Sequence, residues 1–376
     1  MSNNSPRRKL RAELEAKPED RLLGSGWLAG VIAFLLSVGA LVLVITRAFP
    51  GLFITPELRT VFDQPWFGTG LIFVMLTAFG LALVNLALRP TRILGLAAIA
   101  ITLLAGLIGQ FGTVETDRGG AYFGLDFFVL NVVLTGLLFV PLERLSPLKR
   151  QQRLFRAEWR EDLFYYFVSS MLVQVLTWLA LAPAGFVSWA ASLDGLQAWV
   201  GALPLIVQVA LIMFATDFMQ YWVHRAFHRV PALWRFHAVH HSAKSMDWMA
   251  GARMHFLEII VLRGLTAVPM FTLGFEAVAI QTYLLIVYFY SAFIHANIGW
   301  ELRWATPFLV TPRFHHWHHG EEPEAIDVNF AIHFPLYDRL FGTYHMPEGR
   351  WPKSYGIGGH PVPLGYWKQF LYPFRR

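Results

Sequence analysis

A chain of 376 residues that is 55% hydrophobic and only 15% charged does not have the composition of a soluble protein. It carries several apolar runs near the ~20 residues needed to cross a bilayer core, so we read it as a polytopic membrane protein. It has no cysteine, which excludes disulfides, thiolate-bound zinc or haem and cysteine nucleophiles. Its formal net charge of +6 fits loops that orient membrane spans better than a nucleic-acid surface.

In chain order, residues 1–25 read as a polar N-terminal tail on the cytoplasmic side. The first apolar run lacks a small-residue cleavage site after it and is expected to be a retained helix rather than a signal peptide. Residues 26–141 hold four spans, near 26–47, 67–88, 93–112 and 121–141. The fourth contains Asp126 and Asn131, expected to hydrogen-bond to other helices rather than face lipid. Residues 142–162 form a basic interfacial linker, with six Lys or Arg between Arg144 and Arg160. Residues 163–345 are expected to be the working core. It opens with spans five and six (163–183 and 200–223), and spans seven and eight (257–275 and 277–296) form a tight hairpin or re-entrant pair. Residues 346–376 make a tail packed on a polar cap. The fold class is therefore an all-α, polytopic helical membrane bundle of about six spans plus a hairpin, with a histidine-rich helical cap.

Loop charges set the expected topology. The N-terminus and the linker carry six basic residues each, and Arg89 and Arg92 lie between spans two and three. The intervening loops hold only Arg47 and Arg59, then Arg118. The positive-inside rule puts the N-terminus, the linker and the end of span six on the cytoplasmic side. The hairpin returns the chain to that side, so all the histidine groups share one face.

Of the 14 histidines, none precedes residue 224 and 13 lie between His224 and His345. His224 and His228 are spaced i, i+4. His237, His240 and His241 are spaced i, i+3, i+4, and His315, His318 and His319 repeat that pattern. Such spacings place side chains on one helix face. Asp217, Tyr221, His224 and His228 make one continuous stripe on span six. Neutral imidazole suits Zn, Cu, Fe and Ni, and eight or more such ligands are too many for one ion, which points to a pair. Metal-bound histidines commonly give their second N–H to a carboxylate or carbonyl, a role open to Asp217, Glu258, Asp327 and Asp338.

The segments DFMQYWVHRAFH (217–228), LWRFHAVHHS (233–242), ARMHFLE (252–258), FIHAN (293–297), TPRFHHWHHG (311–320) and NFAIHFPLYDRLFGT (329–343) together resemble the fatty acid hydroxylase and sterol desaturase superfamily of membrane di-iron oxygenases. The resemblance implies that His224, His228, His237, His240, His241, His315, His318 and His319 ligate two Fe ions, with His295 a ninth ligand and His255 a candidate tenth. His316 stands where the family commonly has another residue and is left out. His333, His345 and His360 lie outside the boxes. Asp217, Tyr221, Glu258, Asn297, Asn329 and Asp338 are the expected supporting residues around the ligands. Arg253 and Arg313 are candidates to orient carboxylates or a lipid head group, or to act as interfacial anchors.

The resemblance further implies a reaction using O2 and two electrons to hydroxylate or desaturate an unactivated C–H of a lipid such as a fatty acyl chain or sterol, entering from the bilayer. The boxes do not separate this from ether-lipid or head-group monooxygenation. The sequence has no cytochrome b5-like, ferredoxin-like or flavin segment, so a separate ferredoxin- or cytochrome b5-type donor is expected, with a pterin donor also compatible. Readings of another class are a zinc-dependent membrane hydrolase using Glu258 as base, a metal transporter and haem ligation by paired histidines. A bacterial inner membrane and an ER-type membrane suit the chain equally.

Overall fold

The computed structural model describes residues 5–54, 56–111, 125–172, 179, 182, 185–187 and 193–375. Parts of expected spans four and five, and Arg118, lie outside them. The chain divides into two compact units. One comprises Met1–Arg156 and Tyr166–Val173, the other Ala157–Tyr165 and Gln174–Arg376. The division after Arg156 falls inside the basic stretch of the sequence.

The first unit is built on α2 (Trp27–Ala48), α3 (Pro65–Leu88) and α4 (Ile93–Ile108), which pack on one another, with α5 (Leu125–Leu145) against α2. Small residues allow the close approach. A side chain at Gly30 would meet the Asn85 amide, and one at Gly95 would meet the Ala82 carbonyl. Asn85, fully buried, donates to the Gly26 carbonyl at 2.9 Å and accepts from the Gly95 N–H at 2.9 Å. In an apolar surround with no water to compete, such bonds join helices that hydrophobicity alone would not. Asn131 of α5 likewise donates to Ser170 at 3.3 Å.

The charged N-terminal stretch is more than a tail. Helix α1 (Pro6–Leu14) is capped by Ser5. At its end the buried Glu13 carboxylate accepts from Arg89 and Thr91, both at 2.5 Å. Arg21 is buried and donates to the carbonyls of Ala16 and Arg144. Burial, then the neighbouring Arg144, pulls its guanidinium down to about 10.

The second unit is organised on α8 (Leu205–Arg229), 25 residues and about 37 Å long. It follows α6 (Trp159–Met171), in which the boundary between the units falls, and α7 (Asp194–Gly201). Against α8 pack α9 (Pro231–His241), α10 (Phe256–Thr272) and α11 (Ala277–His295). Val209 and Ile212 of α8, Ala267 and Met270 of α10, and Ala279 and Tyr283 of α11 share one core. Gln208 ties the far end. Its amide donates to the Gly201 and Leu203 carbonyls and its oxygen accepts the Glu276 N–H. The α10–α11 turn passes through Gly274 at φ +81°, where a Cβ would meet Gln197 at 2.5 Å.

Four described helices are long and apolar enough to cross a membrane: Trp27–Ala48, Pro65–Leu88, Leu205–Arg229 and Ala277–His295. Ile93–Ile108 is a shorter apolar helix. At 17 residues, α10 is expected to reach about 25 Å, short of a full crossing, which suits one arm of a hairpin. Beyond α11 the chain makes a cap of short helices, α12 (Pro312–His318), α13 (Leu336–Leu340) and α14 (Tyr366–Leu371), joined by loops. Among the described residues the only β-type pairing is an isolated bridge between Gly320 and Tyr355.

Candidate metal centre

Two of the three histidine boxes sit on helices that begin with proline, Pro231 for α9 and Pro312 for α12, whose fixed φ suits a first helical turn. The remaining box is the last turn and a half of α8. The helices converge so that nine imidazoles form two groups. His224, His228, His237, His241 and His318 make one; His240, His295, His315 and His319 make the other. Within each, one ligating atom per residue lies within 4.8 Å of all the rest. The His241 and His319 rings stack at 4.4 Å, so the groups adjoin.

The boxes do not map one to one onto the groups. His237 and His241, one turn apart on α9, enter the first group while His240 enters the second. On α12 the arrangement is reversed: His315 and His319 join the second group and His318 the first. Spacing predicted a shared helix face; the division between the two groups is set by the tertiary arrangement and not by the spacing.

The hydrogen bonds fix the tautomers. Nδ1–H of His224 donates to the Phe330 carbonyl (2.8 Å), that of His318 to Val328 (2.8 Å), that of His240 to Arg253 (3.1 Å) and that of His295 to Ser291 (2.7 Å). His237 Nδ1–H donates to Glu258 Oε1 at 2.5 Å. His228 Nδ1 lies 3.4 Å from Asp327 Oδ1. An imidazole that donates from Nδ1 while neutral carries a bare lone pair on Nε2. Yet His224 Nε2 and His237 Nε2 are 3.1 Å apart, and His240 Nε2 and His295 Nε2 are 3.4 Å apart. Neither member of these pairs has a proton to share, and His228 Nε2 is buried with no partner. Converging lone pairs of this kind are relieved by a cation between them. Burial first, then the neighbouring imidazoles, hold His237, His240, His241, His315, His318 and His319 well below the ordinary histidine range. They are therefore neutral near pH 7, the form that binds metal. The donor set fits metal ions on the observations of lone-pair convergence and neutrality.

Two buried carboxylates shape the loop behind the first group. Asp338 accepts from the N–H groups of Phe330 and Ala331 and from the Thr343 hydroxyl. Asp217 accepts from those of Ile332, His333 and Phe334. Five consecutive amides are thus captured, and the loop's carbonyls at Val328 and Phe330 are turned onto His318 and His224. Asn329, at φ +59°, holds the same loop by donating to the Phe314 and His345 carbonyls and accepting the His345 N–H. The Tyr221 hydroxyl meets Thr343 Oγ1 at 2.9 Å. Asn297 is buried two residues beyond His295.

Some expected roles change. Asp217 and Asp338 are not bonded to any clustered ring; they act on backbone amides, and of the four expected carboxylates Glu258 and Asp327 are the two that meet histidines. His255 lies outside both groups. Its Nδ1 accepts the Leu257 N–H (3.2 Å) as the cap of α10, its Nε2 donates to the Phe370 carbonyl (3.0 Å), and its ring packs on Phe236 and Phe370. With both nitrogens engaged, it is not a tenth ligand. His316 accepts from the Tyr355 hydroxyl and donates to the carbonyls of His295 and Ala296. His333 and His345 also stand apart from both groups, and His360 is exposed.

Arg253 and Arg313 both hold carboxylates. Arg253, fully buried, donates to Asp162 (2.5 Å) and Glu158 (2.9 Å), and Arg313 to Glu301 (2.9 Å). What sequence reasoning missed is mainly the backbone, since the carbonyls of Ser291, Arg253, Val328 and Phe330 carry no residue-type signal. The pair Glu158 and Asp162 has i, i+4 spacing and was available to it.

Residues 209–343 match the family described as fatty acid hydroxylase, and this interval contains all nine clustered histidines. Over that interval the chain is similar to that family. Beyond that interval the likeness continues in the ornithine lipid hydroxylase OlsE of Rhizobium tropici, 27% identical over 73% of this chain and 82% of that protein. The alkylglycerol monooxygenase of Xenopus tropicalis is 32% identical over 40% of this chain and 33% of its own length. A very-long-chain aldehyde decarbonylase, GL1-5 of Oryza sativa subsp. indica, is 26% identical over 34% and 22%. The chain thus spans most of the first relative but a third or less of the other two. No solved structure matches it.

Proposed function

We propose that the chain is a membrane-embedded, O2-dependent lipid hydroxylase working through a non-haem di-iron centre. The observation that carries this is the pair of adjoining groups of five and four neutral imidazoles, a donor set of nitrogens alone on two sites. The likeness of residues 209–343 to lipid-acting oxygenases supports it. His224, His228, His237, His241 and His318 would hold one ion; His240, His295, His315 and His319 the other. When bound, the irons supply reductive activation of O2 and the oxidising strength to break an aliphatic C–H bond. One oxygen atom enters the lipid and the other leaves as water, with two electrons and two protons consumed.

The chain's own residues hold and exclude. Carbonyls and Glu258 keep five of the rings, those of His224, His237, His240, His295 and His318, in one tautomer. The capped loop 329–343 and the aromatic core of Tyr221, Phe314, Phe330 and Tyr337 keep bulk water from the centre. The lipid enters from the bilayer past α8 and the α10–α11 pair. Positive charge in the linker and N-terminus supports a cytoplasmic location for the centre. A separate ferredoxin- or cytochrome b5-type protein delivers electrons there. Glu258 is committed to His237, which disfavours its use as the free general base of a hydrolase.

A polar amino-lipid is the substrate class that the long match to OlsE favours. Ether-lipid monooxygenation is a second reading, favoured by the local likeness to alkylglycerol monooxygenase. Lipid mass spectrometry of a host expressing the chain, or its His318→Ala form, with a competent donor separates these. A gain of one oxygen on intact polar lipid supports hydroxylation, while loss of ether lipid supports cleavage. Identical lipidomes, or purified protein holding one zinc and no iron, sink the di-iron reading.

A further inference from the structure

The two histidine groups differ in more than ligand number. In the five-histidine group, His237 donates to Glu258, a carboxylate only 1% exposed, at 2.5 Å, and the other Glu258 oxygen has no hydrogen-bond partner. His228 faces a second carboxylate, Asp327, which it shares with Arg229. His224 and His318 each donate to a carbonyl.

In the four-histidine group no ring meets a carboxylate. His240 and His295 donate to carbonyls, while the Nδ1 atoms of His315 and His319 are buried without any partner. On that side Glu158, Asp162 and Arg253 are buried and bonded to one another, the Arg253 carbonyl accepts from His240, and Asp162 acts on His295 through space.

A carboxylate on the far nitrogen raises an imidazole's basicity and offsets the charge of the ion it binds. A ring whose far N–H is unsatisfied lacks that support and is held less firmly in orientation. The five-histidine group has an extra ligand and a buried carboxyl group hydrogen-bonded to one of its rings; the four-histidine group has neither. We infer that the two sites bind metal unequally: the five-histidine group takes the first ion and holds it, Glu258 being the positioning residue responsible, while the four-histidine group fills second and empties first.

This rests on the two-metal reading given above, and one titration separates the two. Metal-free full-length protein in nanodiscs is titrated anaerobically with Fe(II) against a competing chelator, with bound metal counted. Two steps are expected, separated by at least about tenfold in affinity. His295→Ala should lose the second step and keep the first. Glu258→Gln should weaken the first step by about 10–100-fold and leave the second in place, so that the gap narrows.

Two ions bound with equal affinity by the unaltered protein would overturn the inference while leaving the two-metal reading intact. So would a Glu258→Gln change that weakens both steps alike, or a His295→Ala change that removes the first. Uptake of no more than one ion by folded protein overturns both. The unaltered protein alone decides between one step and two, so the inference stays testable if a variant fails to fold.

Discussion

At the scale of single residues, the clustered histidines were legible because imidazoles repeat at helical spacing. Their supports were legible only where a side chain supplies them. Glu258 could be suspected from its place three after His255, though its partner is His237, 21 positions earlier. Gly251 gave no signal at all. A Cβ there would sit 3.0 Å from His295 Nδ1 and 3.2 Å from Ser291 Oγ, against a ring already fixed by the Ser291 carbonyl. Gly251→Ala should therefore shift His295 by a few tenths of an ångström and weaken the second metal ion about tenfold, as changes beside a ligand do. Metal counting against a chelator would show this, and unchanged affinity would mean the ring can move freely.

His333 offers a test by pH. It is buried, its Nδ1 has no partner, and burial pulls it down to about 4. Unfolded, it protonates near 6.5; folded, it stays neutral until about 4. The unfolded state thus binds the extra proton, and stability is lost as pH falls through that window. Between pH 7.5 and 5 the protein should lose about 2 kcal/mol more than its His333→Asn form, measured by denaturant unfolding at each pH.

At the scale of elements, periodicity located the long apolar helices and the α10–α11 hairpin. What it left dark was the loop that completes the site. Asp217 sits on α8 in a stripe with His224 and His228, which made it look like a partner for a ligand. Its actual partners are amides of Ile332, His333 and Phe334, more than 110 positions away in sequence. No local pattern encodes that meeting.

Asp217→Ala would leave three N–H groups without their acceptor, at about 1–3 kcal/mol each where they remain buried. We expect a loss above about 3 kcal/mol, together with release of the loop whose Phe330 carbonyl orients His224. Faster amide hydrogen exchange across residues 328–343, alongside reduced metal at the five-histidine group, would be the signature. Full protection would show that water replaces the carboxylate without penalty.

At the scale of the whole molecule, composition and loop charge were enough for an all-α membrane protein with a separate histidine-bearing part. The N-terminal stretch was misjudged as a tail because it is polar; burying Glu13 against Arg89 and Thr91 makes it part of its unit. The histidine-bearing unit also holds converging lone pairs that a bound cation would relieve, so metal should stabilise it by mass action. Removing metal should lower the thermal midpoint of this unit, and restoring Fe(II) should recover it. A midpoint indifferent to metal would mean that the histidine groups are held by packing alone.

The exchange of ligands between α9 and α12 also bears on how the protein is made. Each group draws on both helices, so no ion can be fully enclosed until His315, His318 and His319 exist, and His318 is made 90 residues after His228. The earlier imidazoles spend that interval with their partners not yet synthesised. Metal loading of the completed groups is therefore expected to be late, after α12 has been made. A ribosome-bound chain halted before His315 has four of the five histidines of the first group and two of the four of the second, and should bind metal more weakly than the full chain.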